Sequence, residues 1–370
     1  MLGHMYPFSL KFQGRKGFVR RRHTFLKGET IMLGIIIGTA ANTVLPVVLQ
    51  ILLGYFLKRI GFFTPQFVRV GNKLVFKVLL PIVLFYNIYT LNSLREISWS
   101  SSLFSLCAIV ALFLIGIAVA VVTTKDPARR GVLTQCVFRS NLNVVGLSMA
   151  SALGGDPAMA VVAIISAVTV PLYNVLAVFS LSMYSPNGAS GKDARWGTFK
   201  KILRNPMIIG TLIGVAFLLV RELQLHLLGS VVFSVQDDLP FVFKAVSNVK
   251  SITTPFALMI LGAEFEFSAI KGMFREVAVG TFFRLVGAPL IGILAAWLLS
   301  SHTGFLSFGP NEYAAFIALF GSPVAVSSVA MAEQMDGDSA LAAQLVVWSS
   351  IFSILTIFLQ VCILMAVELL

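Results

Sequence analysis

The sequence predicts an all-α polytopic membrane protein: ten transmembrane helices as two inverted five-helix repeats, with crossed broken helices 4 and 9. Three observations predict it. The chain is 57% hydrophobic and 12% charged, with mean hydropathy +0.90, whereas a soluble domain carries about twice that charged share. Apolar runs of roughly 20 residues, enough to cross a bilayer, recur along its length. Two of these runs are broken at matching places, FRSNLNVVGL at 138–147 and FGSPVAVSSV at 320–329. Each is followed by a polar corner, GGDPAMA at 154–160 and DGDSALA at 336–342. Asp156 and Asp338 stand 182 positions apart, and so do Asn141 and Pro323.

The runs place the spans at about 33–57, 71–90, 103–122, 132–152, 158–183, 205–221, 240–263, 277–299, 313–332 and 339–366. Span 1 (LPVVLQILLGYFLKR) and span 6 (NPMIIGTLIGVAFLLV) each start on a proline and contain a glycine. Span 2 holds LLPIVLFYN and span 7 holds TTPFALMILGAEF; spans 4 and 9 carry the breaks. The shared order of break, acidic corner and small-residue helix marks two copies of one unit. A five-span unit is odd, so its copy runs in the opposite sense. That symmetry supplies two equivalent end states and alternating access. The runs exceed 15 residues without period-2 alternation, which argues against barrel strands. Pro81, Pro171, Pro289 and Pro323 lie inside runs, where neighbouring helices or water can satisfy the freed carbonyls.

The chain divides into a basic N-terminal extension (1–31), a first five-helix repeat (32–183), a cytoplasmic connector (184–204) and a second, inverted repeat (205–370). Basic residues alternate between connectors: Lys58, Arg59, Arg69, Lys73 and Lys77, then Lys125, Arg129 and Arg130, then Lys192, Arg195, Lys200, Lys201 and Arg204, then Lys271 and Arg275. The positive-inside rule makes these connectors cytoplasmic and both core termini non-cytoplasmic. The extension conflicts with that orientation, because Lys11, Arg15, Lys16, Arg20, Arg21, Arg22 and Lys27 would have to be translocated. Translation from Met32 removes the conflict and leaves a net charge of +6 in place of +12; the alternative keeps Met1 with a cytoplasmic tail and requires an extra crossing or a re-entrant segment.

The breaks supply the candidate binding residues. Consecutive polar groups in a span are costly unless they pair or face a cavity. Asn141 and Asn143 favour non-helical backbone and offer donors and acceptors. The half-helix after them presents free amides suited to a carboxylate. In the second break Pro323 cannot join the helix ladder, and Ser327 and Ser328 add hydroxyls. Asn87 can line the path. Arg139, at the cytoplasmic end of span 4, can attract an anion or snorkel. Glu264 and Glu333, at the ends of spans 7 and 9, are candidates for a coupling proton.

Other chemistry finds little support. Cys107, Cys136 and Cys362 form neither a metal spacing nor a disulfide framework. They read as small buried hydrophobes. No glycine loop with a following lysine cradles a nucleotide, and no nucleic-acid-binding signature occurs. No nucleophile–base set emerges, so an enzyme is not expected, nor a cofactor or metal.

Six stretches resemble the auxin efflux carrier family of permeases in its short bacterial form. They are LPVVLQILLGYFLKRIGFF (45–63), NKLVFKVLLPIVLFYNI (72–88), NLNVVGL (141–147), RNPMIIGTLIGV (204–215), TTPFALMILGAEF (253–265) and GSPVAVSSVAMAEQMDGDSALAAQLVV (321–347). The likeness begins near residue 40. The resemblance implies crossed broken helices 4 and 9, here containing Asn141 and Pro323. It also implies an elevator in which spans 3–5 and 8–10 move against a scaffold of spans 1, 2, 6 and 7. Relatives pair through the scaffold, which implies a homodimer in a bacterial cytoplasmic (inner) membrane. The expected function is secondary transport of a small organic anion, a carboxylate, driven by membrane potential or a proton gradient. Membrane lipid and that anion are the expected partners; nucleic acid is not. Sodium-coupled uptake and a non-transporting receptor or structural role are the alternatives.

Overall fold

The computed structural model describes Gly38 and residues 45–90, 99–184, 204–301 and 306–370. The basic extension and nearly all of the connector lie outside the described residues. Among those residues every named element is helical. In chain order they are α1 (45–59), α2 (Pro65–Leu74), α3 (Leu80–Tyr89), α4 (Trp99–Thr123), α5 (Pro127–Phe138), α6 (Leu147–Tyr184), α7 (Pro206–Leu228) and the short α8 (Val235–Asp238). There follow α9 (Pro240–Glu264), α10 (Phe274–Phe282), α11 (Ala288–Ser301), α12 (Pro310–Phe316), α13 (Ser327–Gln334) and α14 (Ser339–Ala366). Among the described residues five helical segments are long and apolar enough to cross a membrane: α4, α6, α7, Phe274–Ser301 and α14.

Local chemistry explains where these helices begin. Thr64, Asp126 and Asn205 each cap a helix whose next residue is proline. Their side chains accept from the amides of Phe67 (3.2 Å), Ala128 (3.0 Å) and Met207 (2.9 Å). Asp338 caps α14 through the amide of Leu341 at 2.9 Å. Each such cap contributes about 1 kcal/mol. The second span begins at Pro65, several residues before its apolar run, because α2 is amphipathic. It buries Val68, Gly71 and Asn72 while Arg69 and Lys73 face outward.

Prolines inside helices leave wide turns at Val75–Leu79, before Pro81, and Phe283–Gly287, before Pro289. The carbonyl that Pro289 cannot serve, on Leu285, accepts from the side chain of Gln360 at 3.0 Å. Within α6 the chain reverses at Gly155 (φ 62°, ψ −149°). Only glycine adopts that geometry without strain.

The helices pack as two groups. In one, α3 lies along α7, and α9 packs on α2 and α3. Glycines bring these backbones together: a Cβ on Gly54 would sit 1.9 Å from the carbonyl oxygen of Met259, and one on Gly262 would sit 1.9 Å from that of Ile51. The second group comprises α4, α5, α6 and α10 to α14. Its core holds Leu133, Phe138, Met149, Tyr313, Phe316 and Phe320, all nearly inaccessible. At one end Arg129 ties three elements of this group, reaching Asp338 (3.1 Å), Glu276 (3.0 Å) and the carbonyl of Gly272 (3.1 Å).

Candidate functional site

The two breaks meet. Helix α5 stops at Phe138, Arg139 is extended, and helical backbone resumes at Leu142. The segment continuing α12 stops at Gly321, Ser322 is extended, and α13 starts at Ser327. Between these ends Ser140 and Val324 form an antiparallel bridge. The N–H of Asn141 donates to the carbonyl of Pro323 at 2.8 Å. The N–H of Val324 donates to Ser349 Oγ at 3.1 Å, and Ser322 Oγ donates to the carbonyl of Ala318 at 2.6 Å. Non-helical backbone is thus tolerated inside an apolar bundle because its polar groups find partners.

A cavity of about 510 Å³ adjoins this junction. It brings together Asn87 from α3, Arg139, Asn141 and Asn143 from the first break, and Ser327 from the second. Tyr173 and Ser166 of α6 and Lys250 and Thr254 of α9 complete its polar wall. Among the described residues neither Asp nor Glu lines it. Asn141 is only 8% exposed, and its side-chain nitrogen has no partner among the described residues. An unpaired buried donor costs about 1–3 kcal/mol, which an anionic acceptor in the cavity would recover. Ser166 Oγ is likewise buried and unpartnered.

Arg139 does not snorkel. It is 4% exposed, and its guanidinium donates to Asn174 Oδ1 (2.9 Å), Ser327 Oγ (2.8 Å) and the sulfur of Met331. No carboxylate pairs with it among the described residues. Beside it Ser140 Oγ and Tyr173 Oη share a hydrogen bond of 3.1 Å. The cause of its burial is tertiary: α6 supplies Asn174 and α13 supplies Met331, covering the end of α5.

Four of the sequence-derived candidates stand elsewhere. Pro323 reaches the junction through its carbonyl rather than through the cavity wall. Ser328 is 1% exposed and off the wall, with its carbonyl accepting from Gln135 at 3.3 Å. Glu264 ends α9 away from the cavity and accepts from the side chain of Asn72. Glu333 lies on α13, also off the wall.

Sequence reasoning missed Lys250. Its ammonium sits 5.1 Å from the centre of the Tyr86 ring, a cation–π distance. The signal was available, since a lysine ten residues into an apolar span is a functional candidate by default. Tyr173 carried no such signal, because an aromatic residue in an apolar run looks like any core side chain.

Long apolar helices, two of their number interrupted and paired around a polar cavity, define a multi-pass membrane protein. The membrane transport protein family model matches residues 39–192 and 197–361. The chain belongs to that family, which is the auxin efflux carrier family, and is a membrane transporter of the permease kind. A comparison with curated proteins gives no match.

Proposed function

We propose that this permease moves a small organic anion, a carboxylate, across the bacterial cytoplasmic membrane by elevator-type alternating access. One observation carries the reading: among the described residues the cavity at the paired breaks holds two cationic side chains, Arg139 and Lys250, and no acidic one. Arg139 lacks a carboxylate partner, so its desolvation is uncompensated until an anion arrives. The unpaired nitrogen of Asn141 and the first amides of the half-helix at Leu142 supply directed donors for the same group. A carboxylate offers the acceptor geometry that this set lacks.

The ten-span inverted architecture supports the transport cycle. Spans 1, 2, 6 and 7 form a scaffold, through which the protein pairs as a homodimer. Spans 3–5 and 8–10 carry the junction past it. The separate packing of the two helix groups supports that division. In the orientation set by the basic connectors, the cavity lies on the non-cytoplasmic side of the junction. The cycle needs no covalent step. One elementary charge moving through ~100 mV is worth roughly 2.3 kcal/mol, enough to bias flux. Proton coupling is assigned to Glu264, and its environment supports this: among the described residues its second carboxylate oxygen is buried without a partner, on a helix that packs against α13, which carries Glu333.

Thermal unfolding of the purified protein with a panel of small carboxylates, at pH 5.5 and pH 7.5, tests the proposal. A carboxylate that stabilises the wild type but not Asn141→Ala is expected. That carboxylate then serves as the tracer for uptake into proteoliposomes. No response across the panel, together with no uptake, overturns the carboxylate reading.

A further inference from the structure

Arg284 lies in the wide turn between α10 and α11 and is 0% exposed. It does not line the cavity. No carboxylate pairs with it among the described residues. Its guanidinium donates instead to three main-chain carbonyls: Val137 at 3.1 Å, Leu319 at 3.4 Å, and Phe320.

These are carbonyls that the two breaks deprive of their helical donors. Four residues beyond Val137 is Asn141, whose N–H goes to Pro323. Four beyond Leu319 is Pro323, which has no N–H. Four beyond Phe320 is Val324, whose N–H goes to Ser349. The first half of each broken span therefore ends on orphan carbonyls, at the negative end of its dipole. Both ends converge on one guanidinium.

In transporters with discontinuous helices, half-helix C-terminal carbonyls of this kind coordinate the coupling cation. We infer that Arg284 is a tethered counter-cation that stands in for a coupling metal ion and completes the junction without Na⁺. The planar guanidinium suits the task, because its fork of donors spans two helix ends while its charge cannot dissociate. Arg284 is thus a positioning residue. It holds the two half-helix ends in register, and with them the cavity wall formed by Arg139, Asn141 and Ser327. The carbonyls it occupies are closed to Na⁺, which removes the sodium-coupled alternative at this site. The inference concerns the ion and does not depend on which anion is carried.

The test is thermal unfolding of the full-length chain in detergent, in NaCl against N-methylglucamine chloride at equal ionic strength. The wild type is expected to unfold at the same temperature in both. Arg284→Met, which keeps bulk but no donor, is expected to unfold roughly 4 °C or more below the wild type. Low-millimolar guanidinium should raise the Arg284→Met midpoint and leave the wild type unmoved, a rescue that lost packing alone does not produce. Arg284→Lys, with the charge but not the fork, should fall between the two. An Arg284→Met protein as stable as the wild type overturns the inference, and so does one indifferent to guanidinium. If neither variant folds, the wild type still decides: stabilisation by Na⁺ beyond N-methylglucamine overturns it, and equal midpoints sustain it.

Discussion

The main-chain N–H of Asn141 donates to the carbonyl of Pro323 at 2.8 Å, joining residues 182 positions apart, one in each helix break. The bond exists because neither residue serves its own helix at that point. Replacing Pro323 by alanine restores an N–H that can return to the carbonyl of Leu319 and continue the helix. The half-helix would then no longer present its carbonyl to Asn141. Pro323→Ala should weaken binding of a stabilising carboxylate about tenfold, the equivalent of one hydrogen bond. Isothermal titration of the purified variant measures this, and an unchanged affinity would detach the break from the site.

Arg139 and Asn141 should separate by what their loss does to stability. Arg139 is a buried cation held only by neutral groups, so its desolvation is paid without a counter-ion. Arg139→Met should abolish anion binding while leaving the unliganded midpoint at or above that of the wild type. Asn141→Ala should lower affinity roughly tenfold with little change in the midpoint, since the nitrogen it removes has no partner. Unfolding curves with and without ligand distinguish the two. A strongly destabilised Arg139→Met protein would assign Arg139 to the fold.

Lys250 is exposed on the cavity wall and rests against Tyr86. Lys250→Gln should leave the fold intact and reduce anion uptake at low substrate. It should also flatten the dependence of uptake on ionic strength, because a solvated cation steers anions through a field that salt screens. The salt titration of initial rates is the measurement.

Gly54 and Gly262 hold α1 against α9. A Cβ at either position would lie 1.9 Å from a carbonyl oxygen of the other helix. Backbone cannot yield as a side-chain tip can, so Gly54→Ala should destabilise by about 1–3 kcal/mol or more. A lower unfolding temperature and a broadened size-exclusion profile are expected. Gly272, with nothing within 4 Å of its built Cβ, is the matched control and should accept alanine.

In the second helix group Arg129 bridges Asp338, Glu276 and the carbonyl of Gly272. Arg129→Ala leaves three carboxylates, Asp126, Glu276 and Asp338, without their shared cation and should cost about 1–2 kcal/mol. The loss should shrink in the double variant with Glu276→Ala, because the repulsion goes with it.

Much of this fold is legible in the sequence because bilayer chemistry is severe. Apolar runs, proline after a capping residue, and basic connectors locate helices with little help from packing. The breaks are legible for the same reason: Asn141, Asn143, Gly321 and Pro323 cannot sit in a continuous buried helix without a purpose. Boundaries that depend on amphipathicity are harder, and the second span starts early because α2 turns its charges outward.

Which groups meet is set by packing between distant segments. Arg139 reads as an end-of-span charge until α6 and α13 are seen to enclose it. Ser327 and Ser328 are equal in sequence, yet one hydroxyl faces the cavity and its neighbour does not, because adjacent helical positions point about 100° apart. The partners of Arg284 lie 147, 35 and 36 positions away. Composition and periodicity are local and fix helices, breaks and family. Pairing, burial and the shape of the cavity are long-range, and only the packing of helices distant in sequence settles them.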